Sequence, residues 1–351
     1  MCTGRGAILG DPSPSTTKYL VTGACGQIGA ELVPFLRAKV GKDNVIASDV
    51  KTSRSMLEGG PFAYLDVQDR DNMARLILEN GVTHVVHLAT LLSAVGERNP
   101  ALALKVNIHG CQNVLELAAQ HHLSVYAPST IAVFGANTPR HATPDDTIMR
   151  PSTIYGITKV HQELLGQYYA DRHGLDYRSI RYPGIISSKA APGGGTTDYA
   201  VEIFHAALAR GAYTCFLSGD AELPMMHMAD CLDATYALMT APREALTRTT
   251  YNVTALSFTP AQLAEAIARA VPGFAIDYRP DFRDDIARTW PASIDDSAAR
   301  RDWGWRHRLG LDELVASMLN ALRPQYEKAA AEKAAAAAAA KQQQQPVAAA
   351  A

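Results

Sequence analysis

Apolar residues in the first half of the chain come in short bursts separated by longer amphipathic stretches. Tyr19-Leu20-Val21, segments 44–49 and 62–66, His84-Val85-Val86-His87-Leu88 and Val125-Tyr126-Ala127 predict five strands. The fourth is apolar almost throughout, as suits a parallel strand covered on both faces. Helical spacing intervenes: Leu32, Phe35 and Leu36 after the first run, then Met73, Leu76 and Ile77 behind a capping Asp69. A long helix is predicted over 100–121. Another begins near Tyr155 and leads to a sixth strand at 177–181. This alternation predicts an α/β fold, a Rossmann-type doubly wound parallel sheet.

Beyond Gly184 the alternation weakens. Helices near 200–209, 230–239, 260–270 and 311–322 alternate with short strands near 225–228 and 251–253. They predict a smaller α/β substrate lobe over the C-terminal ends of the strands. The expected division is a disordered extension over 1–17, an NAD-binding Rossmann core over 18–184, a mainly substrate-binding lobe over 185–328 and a low-complexity Ala/Gln tail over 329–351. The tail's first part extends the preceding helix, because alanine favours helix.

Composition narrows the classes. With 351 residues, 47% hydrophobic and 19% charged, the chain reads as an ordinary soluble globular protein. A formal net charge of −2 gives no electrostatic case for nucleic acid or an anionic membrane. No apolar run approaches the roughly 20 residues of a transmembrane span. Cys2, Cys25, Cys111, Cys215 and Cys231 show neither zinc-ligand spacing nor a disulfide framework, which points to a reducing compartment and no metal.

Two motifs carry chemistry. Gly23-Ala24-Cys25-Gly26-Gln27-Ile28-Gly29 follows the first strand and opens a helix, the pattern of a dinucleotide cradle. Gly23 permits the turn, Gly26 lets the backbone approach a pyrophosphate, and Gly29 lets the helix pack on the sheet. Asp49, twenty residues beyond Gly29, ends the second strand and is placed to accept the ribose hydroxyls of NAD and to repel a 2′-phosphate. Asp66-Val67 is placed beside adenine, and Leu88-Ala89-Thr90 beside the cofactor.

The second motif is Tyr155-Gly156-Ile157-Thr158-Lys159. It sets a phenol and an ammonium on one helix face. A nearby cation favours the phenolate, so Tyr155 is the candidate base. Ser129 and Thr130 end the fifth strand, and either hydroxyl can hold a substrate oxygen, with Thr130 the expected contact. Asn107 is either a buried structural amide or an anchor for a water next to Lys159. Gly193 to Thr197 can close over a small zwitterion, with backbone N–H groups toward a carboxylate. Arg140 and Arg150 flank the loop before Tyr155 and are candidates for a gate.

These residues sit in the pattern of the extended short-chain dehydrogenase/reductase superfamily, from Lys18 to about Leu322. The runs Pro128-Ser129-Thr130-Ile131, Arg150 to Gly156, Arg181 to Ser187, Pro192 to Ala200, Leu223-Pro224-Met225-Met226, Trp290-Pro291 and Asp302 to Trp305 further resemble the short-chain family of L-threonine 3-dehydrogenases. The resemblance implies NAD-dependent oxidation of the β-hydroxyl of L-threonine to L-2-amino-3-oxobutanoate. It implies Tyr155, Lys159, Thr130 and Ser129 at the reacting centre. Gly23, Gly26, Gln27, Ile28, Gly29, Asp49, Asp66, Val67, Leu88, Ala89, Thr90, Asn107, Tyr182 and Ile185 would join Tyr155 and Lys159 around NAD. Ser93, Gly195, Thr196 and Trp290 would line the amino-acid pocket with Thr130 and Tyr155. It also implies a homodimer paired through the helix over 100–121 and the helix after Tyr155. A 2-amino-3-ketobutyrate CoA ligase would consume the product. A mitochondrial location follows from animal members, with a cytoplasmic one as the alternative. Two rival readings use the same fold: a nucleotide-sugar epimerase or dehydratase, and a non-enzymatic NAD-sensing regulator.

Overall fold

The structure, a computed structural model, describes residues 17–189 and 195–343. The chain runs through β1 (Tyr19–Thr22), α1 (Gly29–Val40), β2 (Val45–Asp49), α2 (Arg54–Glu58), β3 (Phe62–Tyr64), α3 (Arg70–Asn80) and β4 (His84–His87). Next come α4 (Ser93–Arg98), α5 (Pro100–Leu104), a π-helical turn (Lys105–His109), α6 (Gly110–His121), β5 (Ser124–Tyr126), β6 (Ser129–Thr130), α7 (Ile154–His173) and β7 (Asp176–Tyr182). The second half adds β8 (Gly184–Ile186), α8 (Tyr199–Arg210), β9 (Ala212–Cys215), β10 (Leu223–His227), α9 (Met228–Thr240), β11 (Thr250–Asn252) and β12 (Leu256–Phe258). It closes with α10 (Pro260–Ala270), β13 (Ala275–Tyr278), α11 (Phe282–Arg288), α12 (Ser297–Trp303) and α13 (Leu311–Gln343).

The main sheet has the order β3-β2-β1-β4-β5-β7-β11, parallel throughout, with β6 also pairing β7. The order reverses between β1 and β4, so a crevice opens at the carboxyl ends of those two strands. Alternation along the strands builds the layers on the two faces. Leu20, Ile46, Val85 and Val125 pack with Met73 and Ile77 of α3 and Val114 and Leu115 of α6. Val21, Ala47, Val86 and Tyr126 pack with Leu32, Val33 and Leu36 of α1 and Cys231, Ala234 and Leu238 of α9. A separate core of α8, α10 and α13 with β9 and β10 forms the smaller lobe.

Two elements depart from the expected organisation. Segment 251–253 was expected in the smaller lobe, yet β11 completes the edge of the main sheet, with Tyr251 opposite Ile180. Helix α9 likewise covers the sheet, so residue 184 does not divide the chain cleanly. The reason is burial: β11 and α9 cover the β7 edge and one sheet face that would otherwise be solvated. The helix expected over 100–121 is broken into α5 and α6 by the π-helical turn that carries Asn107. Helix α13 runs on through the alanine-rich segment to Gln343, as alanine's propensity predicts. The extension over 1–16 and residues 344–351 lie outside the described residues.

Candidate active site

The glycine turn is built by contact. Gly23 has φ +70°, and a Cβ there would lie 2.6 Å from the Ala89 nitrogen. A Cβ on Gly29 would lie 2.4 Å from the Gly23 carbonyl oxygen, so α1 starts hard against the turn. At Gly26 an added Cβ meets only that same carbonyl, at 3.2 Å, and otherwise open space. That open side is where a pyrophosphate fits. Helix α1 begins at Ile28 with no side-chain cap, leaving its first N–H groups free of a side-chain acceptor. Gln27 donates its amide to the Ile185 carbonyl at 3.3 Å, which brings two expected cofactor residues together from opposite halves of the chain.

Asp49 is 8% exposed. Its carboxylate accepts from the Cys25 N–H at 2.9 Å and the Lys51 N–H at 3.2 Å. The glycine turn and the end of β2 are thereby locked to one acid, with lone pairs to spare for hydroxyl donors. Asp66 is exposed and holds Gln68, while Val67 is buried. Leu88 and Ala89 border the turn. The Thr90 hydroxyl is buried without a hydrogen-bond partner, an orphan that a polar ligand could satisfy. These features fit a dinucleotide.

Helix α7 is capped by Thr153, whose hydroxyl accepts from the Gly156 N–H at 3.1 Å. Tyr155 lies in its first turn, half-buried, and Lys159 one turn on is 4% exposed. Burial pushes the Tyr155 phenol up to about 12, against a hydrogen bond from Thr130 that favours the phenolate. Burial lowers Lys159 to about 8, opposed by Cys111 and by the Glu163 carboxylate. The Lys159 ammonium lies 5.9 Å from the centroid of the Tyr155 ring. It donates to the Pro128 carbonyl at 2.8 Å and to the Gln162 side-chain oxygen at 2.9 Å. Tyr155, Thr130 and Lys159 are thus brought together, as expected.

Four expected contacts go elsewhere. The Ser129 hydroxyl, 3% exposed, donates to Glu163, which is also paired with Arg181 at 2.7 Å. Ser129 therefore fastens β6 to α7, and the hydroxyl beside Tyr155 is that of Thr130. Asn107 spends its amide on the Leu91 N–H and carbonyl, at 2.8 and 3.0 Å, and on the Thr158 hydroxyl at 3.1 Å. The π-helical turn aims this amide at the segment after β4, the contacts its structural reading calls for. Tyr182 is buried, with its hydroxyl between Tyr126 and Thr235. The Gly195 N–H, expected to face a substrate carboxylate, donates to the Asp198 carboxylate at 2.8 Å.

On the substrate side, Thr196 is buried and Ser93 begins α4. Trp290 is 7% exposed and shares a core with Ile131 to Phe134, against which Tyr155 also packs. Arg140 donates to the Trp290 carbonyl at 3.4 Å and accepts from the Ala292 N–H at 2.7 Å, which makes it a brace for the 290–293 segment. Arg150 is exposed. Gly193 and Gly194 lie outside the described residues. Sequence reasoning missed Gln162, Glu163 and Arg181. The available signal was polar residues three and four positions beyond Lys159 on the same buried helix face.

A parallel sheet with a glycine cradle at its reversal point, an acid ending β2 and a Tyr/Lys helix defines a class. The chain belongs to the NAD dependent epimerase/dehydratase family, whose model matches residues 19–254. It is 51% identical over 305 residues to the mitochondrial L-threonine 3-dehydrogenase of Bos taurus, covering 86% of this chain and 82% of that one. Among solved structures, the L-threonine dehydrogenase of Phytophthora infestans superposes with a TM-score of 0.86 at 59% identity, covering 88% of this chain and all of the other. The holo form of the L-threonine dehydrogenase of Cupriavidus necator superposes with a TM-score of 0.85 at 51% identity, covering 87% and 99%.

Proposed function

We propose that this chain is an NAD-dependent L-threonine 3-dehydrogenase that oxidises the β-hydroxyl of L-threonine to L-2-amino-3-oxobutanoate. The observation that carries the reading is the Thr130 hydroxyl bonded to Tyr155 one turn before Lys159, in a chain so similar to threonine dehydrogenases. Gly23, Gly26 and Gly29 would hold the pyrophosphate of NAD, and Asp49 its adenosine ribose. When bound, NAD supplies the hydride acceptor. Thr130 holds the substrate hydroxyl in line with Tyr155, and the Tyr155 oxygen receives its proton as the carbon–oxygen double bond forms. With the phenol near 12, Tyr155 holds its proton at neutral pH, so the Lys159 charge and the cofactor's cationic ring must bring it down. Trp290 and Thr196 would shape the amino-acid pocket, with Ser93 at its rim.

The test is NADH appearance with L-threonine, L-allo-threonine, L-serine and 3-hydroxybutyrate, together with product analysis for UDP-sugars, whose epimerisation or dehydration releases no net NADH. Turnover restricted to the amino acids supports the reading; turnover of a UDP-sugar instead places the chain among the family's sugar-modifying members. A homodimer is part of the proposal. Ile157, Leu164 and Tyr168 of α7 are 46%, 60% and 52% exposed, an apolar stripe along a helix that otherwise packs on the core. A mitochondrial location, as for the Bos taurus relative, and consumption of the product by a CoA-dependent ligase complete it. Among the described residues no helix is long and apolar enough to cross a membrane.

A further inference from the structure

We propose that Gln162 is a positioning residue for Lys159, whose side-chain oxygen holds the ammonium in place and sets its readiness to keep a proton. The inference rests on the role given to Lys159 above. Three groups close a ring of hydrogen bonds. Lys159 Nζ donates to the Pro128 carbonyl at 2.8 Å and to Gln162 Oε1 at 2.9 Å, while Gln162 Nε2 donates to the same Pro128 carbonyl at 3.1 Å. Gln162 Nε2 also donates to the Ala127 carbonyl at 3.0 Å and lies 3.4 Å from the Tyr177 hydroxyl. The ring admits one orientation of the amide. Turned over, its NH2 would face the ammonium and its oxygen two carbonyls. Gln162 is 3% exposed, so water cannot take its place.

Two of the three ammonium N–H groups are thereby committed, and the third makes no hydrogen bond among the described residues. Among the described residues no other side chain accepts a hydrogen bond from the ammonium. On α7, Lys159 faces Tyr155 and Glu163, but the Glu163 carboxylate is spent on Arg181 and Ser129. Cys111 faces it from α6 and His87 from β4. Burial pushes the Cys111 thiol up to about 12 and the His87 imidazole down to about 3, so both are neutral at pH 7. Tyr177 of β7 is hydrogen-bonded to Gln162, and burial keeps it protonated. The Glu163 carboxylate favours the charged form across space, and Gln162 Oε1 adds the direct side-chain acceptor of the ammonium.

The experiment is the pH profile of kcat/KM for L-threonine at saturating NAD, with the NAD dissociation constant, for wild type, Gln162→Met and Gln162→Glu. Met keeps the volume and removes the acceptor. Losing one hydrogen bond to a charged group should move the alkaline limb, which reports loss of the Lys159 proton, down by about one pH unit. Glu keeps an oxygen toward Lys159 and adds negative charge, so its limb should move up. The Glu variant decides the question alone if the Met variant does not fold. A limb that stays in place in both variants, moves the same way in both, moves down in the Glu variant, or is missing from the wild type overturns the proposal. Lys159→Met and Tyr155→Phe separate this failure from that of the parent reading. If both retain wild-type turnover, the catalytic assignment is wrong; if both are inactive and Gln162→Met keeps the wild-type profile, only the Gln162 assignment is.

Discussion

Lys159 and Tyr155 lie one helical turn apart on α7, and the ammonium, 5.9 Å from the centre of the Tyr155 ring, is hydrogen-bonded to the Pro128 carbonyl and Gln162. Burial pushes the phenol up to about 12 and the ammonium down to about 8.

Tyr155→Phe removes one hydroxyl and leaves the cradle intact. Turnover should fall by about 10²–10⁴-fold while NAD still binds. Because the phenol must lose its proton, wild-type kcat/KM should climb with pH on the acid side, and the variant's residual rate should not. Steady-state rates between pH 6 and 10, with NAD titrations, check both. A variant retaining more than about a tenth of the activity removes Tyr155 from the role.

Lys159 is uncomfortable in the fold, and stability should record it. Below about pH 8 the lysine is charged in both folded and unfolded chains, and the burial penalty is fully present. Between about pH 8 and the ordinary value of 10.5, the unfolded chain holds a proton that the folded one has lost, so stability rises with pH. The rise should be on the order of 3 kcal/mol relative to Lys159→Met across that window, from 1.36 kcal/mol per pKa unit. Urea unfolding of both proteins at pH 7 and 10.5 gives the double difference; parallel pH dependence would falsify the shift.

Glu163 and Arg181 are 5% and 6% exposed and form a buried pair. Arg181→Met strands the Glu163 carboxylate and should cost about 3–5 kcal/mol. Ser129→Ala removes only one donor to that carboxylate and should cost about 1–3 kcal/mol. The order of the two urea midpoints is the check. Loss of activity in Ser129→Ala without loss of stability would return Ser129 to the reacting centre.

Asp49 should set the cofactor preference. Two unit charges about 4 Å apart repel by about 4 kcal/mol near a protein surface, so a 2′-phosphate is disfavoured. Asp49→Ser should weaken NAD and relax discrimination against NADP. It also releases the Cys25 and Lys51 N–H groups, so some loss of affinity for both cofactors should accompany it. Equal wild-type efficiency with NAD and NADP would contradict the assignment.

The substrate pocket should require both charges of the amino acid. An unpaired buried polar group costs about 1–3 kcal/mol, so 3-hydroxybutyrate and threonine methyl ester should be poor substrates. L-Serine keeps both charges, lacks the terminal methyl and should be weakly active. Thr196→Val should lower kcat/KM for L-threonine and narrow its margin over threonine methyl ester, which lacks the carboxylate charge. If 3-hydroxybutyrate matches threonine, the protein is a general hydroxy-acid dehydrogenase.

Much of this molecule was legible in the chain because its signals are local. Six strands of the main sheet, the Asp69 cap and the turn from Gly23 to Gly29 depend on short-range periodicity and on glycine's freedom, and they stand where the residues placed them. The Tyr155/Lys159 spacing needs only a helix. What the sequence could not decide was which polar side chain meets which. Ser129 and Thr130 are adjacent and chemically alike, but in β6 they point to opposite sides, one toward Glu163 and the other toward Tyr155. Asn107 and Tyr182 looked available to a cofactor, yet packing aims one at Leu91 and Thr158 and buries the other's hydroxyl against Thr235. Gln162 carried no motif at all, and β11 was too short to reveal that it belongs with β7. These are contacts between distant segments. Partners there are chosen by which groups become buried together, because each buried donor or acceptor must be satisfied by whatever the fold brings within reach.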